Sequence, residues 1–224
     1  MPFPKLTKTN LGQSLSSLKN DAGKPAPDTS LMSLFQKQTA PATTSTATAS
    51  ADAVGEDTLA TTSTTLKTMD IGPVAITRGL VSATALAQST DSTPYASATT
   101  LATIPQGDVI ITRNANVSGA GQDSAGAWSY ASSTTWFMSI DIQGLELKPK
   151  IIEKTTDTTI TTRPATISGN LATFDVDASA RGADTYTDTQ VSAVTVEDRY
   201  SSSVTTTTVS AQSDSLIEFF HSLF

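Results

Sequence analysis

The sequence predicts a mainly β protein. Its expected form is a β-sandwich or barrel-like domain with a long extended N-terminal arm and a short C-terminal helix. Three observations predict it. From Thr134 to Leu147, apolar Trp136, Met138, Ile140 and Ile142 alternate with polar Ser139, Asp141 and Gln143. That is the period of a strand with one face inside and one in water. From Ile151 to Ala211 the pattern is almost wholly of short β runs separated by turn residues, as in sandwiches and barrels. Finally, Ser and Thr make up roughly 30% of the 224 residues, well above ordinary usage, and Thr is β-branched and suits strand surfaces.

The central strand carries one irregularity. After Gly144 the phase slips, so that Leu145 and Leu147 flank Glu146. A β-bulge does this, and so does a break between two strands.

Hydrophobic residues are 38% and charged residues 16% of the chain. So thin a core makes a lone subunit marginal, and association would supply missing burial. The net charge of −7 is uneven. Residues 1–40 hold five Lys against Asp21 and Asp28, a net of +3, which leaves −10 on the remainder. A weakly basic arm on an acidic body is expected to lie on an acidic surface. It is too sparse in Lys and Arg for a nucleic-acid arm, so no specific nucleic-acid binding is expected. With no cysteine, disulfides are excluded. The start Met1-Pro2-Phe3-Pro4-Lys5 lacks a signal-peptide core, and no window approaches the roughly 20 apolar residues of a membrane span. Synthesis in a host cytoplasm is expected, with the working location a virion or extracellular particle.

Three divisions follow: 1–66, an extended low-complexity arm; 67–210, a β-rich domain with possible parts 67–150 and 151–210; and 211–224, an apolar tail. In the arm, Leu11, Leu15 and Leu18 share a helical face. A second cluster is Leu31, Met32, Leu34 and Phe35. Neither can bury itself alone, since helices this short are marginal in water. Gln36 to Leu66 reads as a Thr/Ala/Ser linker too polar to pack, so Thr39–Thr65 is expected to lack regular structure.

Beyond it, Ile71–Ile76 reads as a strand broken by Gly72-Pro73, and Val81–Leu86 suits strand or helix. Val109–Thr112 reads as a short buried strand, and Asn114–Gly126 as a Gly/Ser loop of contact-tip composition. Ser168-Gly169-Asn170 is a hairpin signal between Ile167 and Leu171–Val176. Thr185–Glu197 and Val204–Val209 form a pair around Tyr200-Ser201-Ser202. In the tail, Leu216, Phe219, Phe220 and Leu223 mark one helical side, with Ser215 and Glu218 at capping-box spacing.

Catalytic chemistry has little support. His221 is the single histidine, so nucleophile–base triads and ordinary zinc sites are not available. No phosphate-binding glycine loop precedes a helix. Asp175 with Asp177, and Asp184 with Asp188, are carboxylate pairs, which on strand faces are usually solubilising rather than acid–base pairs. Thr185, Thr187 and Thr189 resemble, locally, the Thr arrays of ice-binding proteins, but no fixed repeat accompanies them. Asn116-Val117-Ser118 matches a glycosylation acceptor.

The expectation is a non-enzymatic structural subunit with no cofactor and no metal. Its setting would be a large assembly such as a bacteriophage or virus particle, as capsid, decoration, connector or tail protein. Its partners would be copies of itself and other structural proteins. Leu11, Leu15, Leu18, Leu31, Leu34, Phe35, Leu216, Phe219, Phe220 and Leu223 would make the contacts. The alternative is a β-sandwich binding or adhesion module on a cell surface, presenting Asn114–Gly126.

Overall fold

A computed structural model describes residues 42–142 and 148–213. They form ten strands and, among the described residues, no helix. The strands are β1 Thr43–Val54, β2 Asp57–Asp70, β3 Val74–Ser89, β4 Tyr95–Thr103 and β5 Val109–Asp123. They continue as β6 Gly126–Ile142, β7 Lys150–Thr159, β8 Asn170–Arg181, β9 Asp184–Val196 and β10 Tyr200–Gln212. Two sheets result, one ordered β4-β1-β10-β9 and one ordered β7-β5-β6-β3-β2-β8.

Pairing is antiparallel throughout except at the two edges of the larger sheet, where β7 runs parallel to β5 and β8 parallel to β2. Parallel neighbours need a crossover rather than a hairpin. Residues 160–169 cross the sheet from β7 at one edge to β8 at the other. The chain changes sheet at Gly55-Glu56, between β1 and β2. A Cβ at Gly55 would lie 2.8 Å from the Gln88 carbonyl oxygen, so only glycine fits that close backbone crossing.

The sheets face each other across a core of small side chains. Ala47, Ala49, Ala51 and Ala53 of β1, and Ala83, Ala85 and Ala87 of β3, are fully buried. Phe137, Leu66, Val81 and Val209 are the larger members. Between the alanines, hydroxyls bond across the sheet gap. Thr58 pairs with Ser201 at 2.6 Å, Thr62 with Ser203 at 2.8 Å and Thr64 with Thr205 at 2.9 Å, each joining β2 to β10. Thr100 of β4 reaches Ser133 and Thr135 of β6, both at 2.8 Å. The sandwich thus buries hydroxyls in reciprocal pairs, which removes most of the penalty for burying them.

Several expectations are corrected. Residues 43–66 are not linker: β1 and most of β2 lie in the heart of the sandwich. Their Ala/Thr/Ser composition reads as low complexity because each side chain is small. Opposed to a matching sheet, the same side chains close-pack. Asn114–Gly126 is no loop; it is the second half of β5 and the turn into β6. Ile71–Ile76 is the β2–β3 turn, with Gly72 at φ 86°, followed by the start of β3. Val81–Leu86 is strand, inside β3. Ser168-Gly169-Asn170 ends the crossover instead of a hairpin, and Ile167 is in no strand. β9 does pair with β10, but the turn is Glu197–Arg199, with Asp198 at φ 55°, and Tyr200–Ser202 already belong to β10. Strands from both halves of 67–210 interleave in both sheets, so it does not divide at 150.

The central strand carries the largest correction. It is a strand, β6, but its faces are reversed. Ser133, Thr135, Phe137 and Ser139 point into the core, and Trp136, Met138 and Ile140 lie on the outer face. The opposing sheet leaves room mainly for small side chains, so the larger apolar set goes outward. The phase slip at Gly144 lies outside the described residues.

Candidate functional site

The outward set on β6 belongs to a continuous face. Strand register brings Met69, Ile76, Leu80, Val109, Ile111 and Ile152 beside Trp136, Met138 and Ile140. The same register places Lys67, Arg78, Arg113, Lys150, Lys154 and Arg181 on that face. These are six of the nine Lys and Arg after residue 41, the others being Lys148, Arg163 and Arg199. Leu80 is 45% exposed. The Arg113 guanidinium sits 5.8 Å over the Trp136 ring, a cation–π arrangement. Lys67 is paired with Asp177 at 2.5 Å. In an acidic chain, this end of the face is apolar with cations in excess of its carboxylates, Asp175 and Asp177 of β8.

The opposite end of the same face is closed by the crossover. Arg163 donates from Nε and Nη2 to the two carboxylate oxygens of Asp123, at 2.9 and 2.7 Å, and from Nη1 to the Gln88 side-chain oxygen at 3.1 Å. Gln88 in turn donates to the Ala165 carbonyl at 2.5 Å. Trp128, Leu86 and Gln88 are buried there. A Cβ at Gly119 would collide with the Ile160 backbone, so glycine lets the crossover lie flat on β5. The crossover makes a second small core and leaves the other half of the face uncovered by described residues.

Two edges are also open. All ten residues of β7 and twelve of the thirteen of β9 are exposed, on both faces of their sheets. The four-stranded sheet does not extend over β5 and β7, and β9 lies beyond β10 at its sheet's edge. Ile151, Ile152, Val191, Val194 and Val196 stand there at 43–59% exposure.

At the end of the sandwich where the described residues begin, Asp70, Ala75 and Asp141 form a cross-strand row. Asp108 accepts a hydrogen bond from the Ile142 N–H at 2.8 Å beside it. Both Asp70 carboxylate oxygens are buried without a hydrogen-bond partner. Burial, and next the charges of Asp108 and Asp70, push the Asp141 carboxyl above its usual value. A carboxyl raised in the folded state is destabilising when ionised. Its cost is absent below its unfolded value and grows as pH rises through the folded one. Asp141→Asn should therefore raise the melting temperature at neutral pH, with the difference vanishing toward strong acid. Paired melts at neutral and low pH would check it.

The other residues singled out by sequence are dispersed. Leu11, Leu15, Leu18, Leu31, Leu34, Phe35, Leu216, Phe219, Phe220 and Leu223 lie outside the described residues, as do His221 and the C-terminal helix. Asp175 and Asp177 share the outer face of β8, with Asp177 held by Lys67. Asp184 and Asp188 share a face of β9 at its open edge. Thr185, Thr187 and Thr189 face the interior side of β9, away from the outer array of Thr44, Thr46, Thr48, Thr206 and Thr208. Asn116 donates to Asp157 across β5 and β7 at 2.9 Å. Among the described residues, no group of three or more His, Asp or Glu could hold a metal ion. The cationic face was missed from sequence, although the pairs Lys67/Met69, Ile76/Arg78 and Ile111/Arg113 show its spacing.

Compared with known proteins, the chain matches no family model, no curated protein and no solved structure.

Proposed function

We propose that this protein is a non-enzymatic structural subunit of a large assembly, joined to copies of itself and to other structural proteins. One observation carries the reading: β9 is a sheet edge exposed on both faces. A long exposed edge with apolar side chains is a template for pairing with another chain, and lone proteins blunt such edges with charge, proline or a covering element. β9 has none of these between Gln190 and Val196; its sequence there is Gln-Val-Ser-Ala-Val-Thr-Val. The composition points to a virus or bacteriophage particle as the setting, with the N-terminal region as a further contact. The adhesion-module alternative loses its binding loop, because Asn114–Gly126 is strand and turn.

The test is sedimentation of the full chain and of Val194→Lys/Val196→Lys. The unaltered chain should sediment as a multimer and the variant as a smaller species. Both positions are exposed, so the melting temperature of the variant should change little, within about 0.5 kcal/mol per site. A full chain that stays monomeric at every concentration tested would reject the reading.

A further inference from the structure

We infer that the uncovered half of the outer face of the six-stranded sheet is the docking site of this chain's own C-terminal segment, residues 214–224. The site is a groove of about 420 Å³, lined among others by Lys67, Met69, Ile76, Arg78, Met138 and Arg181. Its floor is apolar, and its rim is cationic through Arg78 and Arg181, Lys67 being paired with Asp177. The segment reads Asp-Ser-Leu-Ile-Glu-Phe-Phe-His-Ser-Leu-Phe. It supplies large apolar side chains and two carboxylates, Asp214 and Glu218, which match that floor and rim. The N-terminal region cannot match it as well, because its net +3 would be repelled by the same cations.

The exit point agrees. β10 ends at Gln212, whose carbonyl accepts from the Ala183 N–H at 2.8 Å. Ala183 is two residues from Arg181, which lines the groove. The segment therefore leaves the sandwich at the groove's own corner. Eleven residues cover about 36 Å if extended, or about 16 Å if helical. The groove spans β8, β2, β3 and β6, three strand spacings of about 4.8 Å, or roughly 14 Å. Either form reaches across it.

The inference is independent of the assembly reading, which the β9 lysine variant tests by itself. The experiment here is acrylamide quenching of tryptophan fluorescence in the full chain, diluted until it sediments as a monomer. Trp128 is 2% exposed and stays silent, so quenching reports Trp136 beside the groove. Phe219→Ser/Phe220→Ser/Leu223→Ser should raise the quenching constant about twofold, as a half-buried ring loses its apolar cover. A synthetic peptide of residues 214–224 added to that variant should restore protection. It should fail to do so when Arg78→Glu/Arg181→Glu is added. Circular dichroism identifies any variant that has lost its strands. In that case Glu218→Lys in the full chain replaces it, and should raise quenching while Arg181→Glu added to it lowers quenching again. Quenching unchanged by the tail substitutions would overturn the inference. So would protection by the peptide that ignores the charge reversal. Protection that disappears on dilution would show a neighbouring copy's tail and would also overturn it.

Discussion

Phe137→Ala should cost about 3–5 kcal/mol, the range for removing a large aromatic from a packed core. Phe137 is the largest fully buried side chain in the protein's described core. Its inward neighbours along β6 are Thr135 and Ser139, too short to fill the space. A natural domain is stable by only about 5–15 kcal/mol, so this one substitution should leave the fold marginal. Its cross-strand partner is Gly79, and a Cβ there would collide with the Phe137 ring and approach Leu66 Cδ1 at 3.2 Å. Gly79→Ala should therefore cost about 1–3 kcal/mol by overpacking. In a Phe137→Leu background that cost should shrink, because the colliding ring atoms are gone. A double-mutant cycle by urea unfolding reads the coupling, and strictly additive effects would show that the two sites do not share the space.

Thr64→Val should be the next most damaging of the substitutions considered. Thr64 and Thr205 are fully buried and bond each other at 2.9 Å across the sheets. Removing one hydroxyl strands its partner without water, at about 1–3 kcal/mol. Thr64→Val/Thr205→Val removes both and should be nearly neutral, or stabilising, because no buried polar group is left unpaired. Thr62 with Ser203 should behave asymmetrically: the Ser203 hydroxyl also donates to the Thr173 carbonyl at 2.7 Å, so Thr62→Val leaves it bonded, whereas Ser203→Ala leaves the Thr62 hydroxyl unpaired. Thermal unfolding of the four proteins of the first cycle decides it. A double variant as unstable as the sum of the singles would mean that the hydroxyls hold the sheets together by more than mutual satisfaction.

The β class was legible in the sequence, because strand alternation and β-branched threonine act locally. So were β9 and β10, whose pairing needs only a short turn. What only the tertiary structure decided was which side of each strand is inside. Alternation on β6 sets Trp136, Met138 and Ile140 on one face, but it does not say which face is covered. The opposing β4, with its alanines and threonines, decided that. Burial is a property of a pair of surfaces, so Ala47–Ala53 could read as linker alone and still be core when matched. The cationic face was hidden for the same reason. Lys67, Arg78, Arg113 and Arg181 are far apart in the chain, and only register across β2, β3, β5 and β8 lays them side by side.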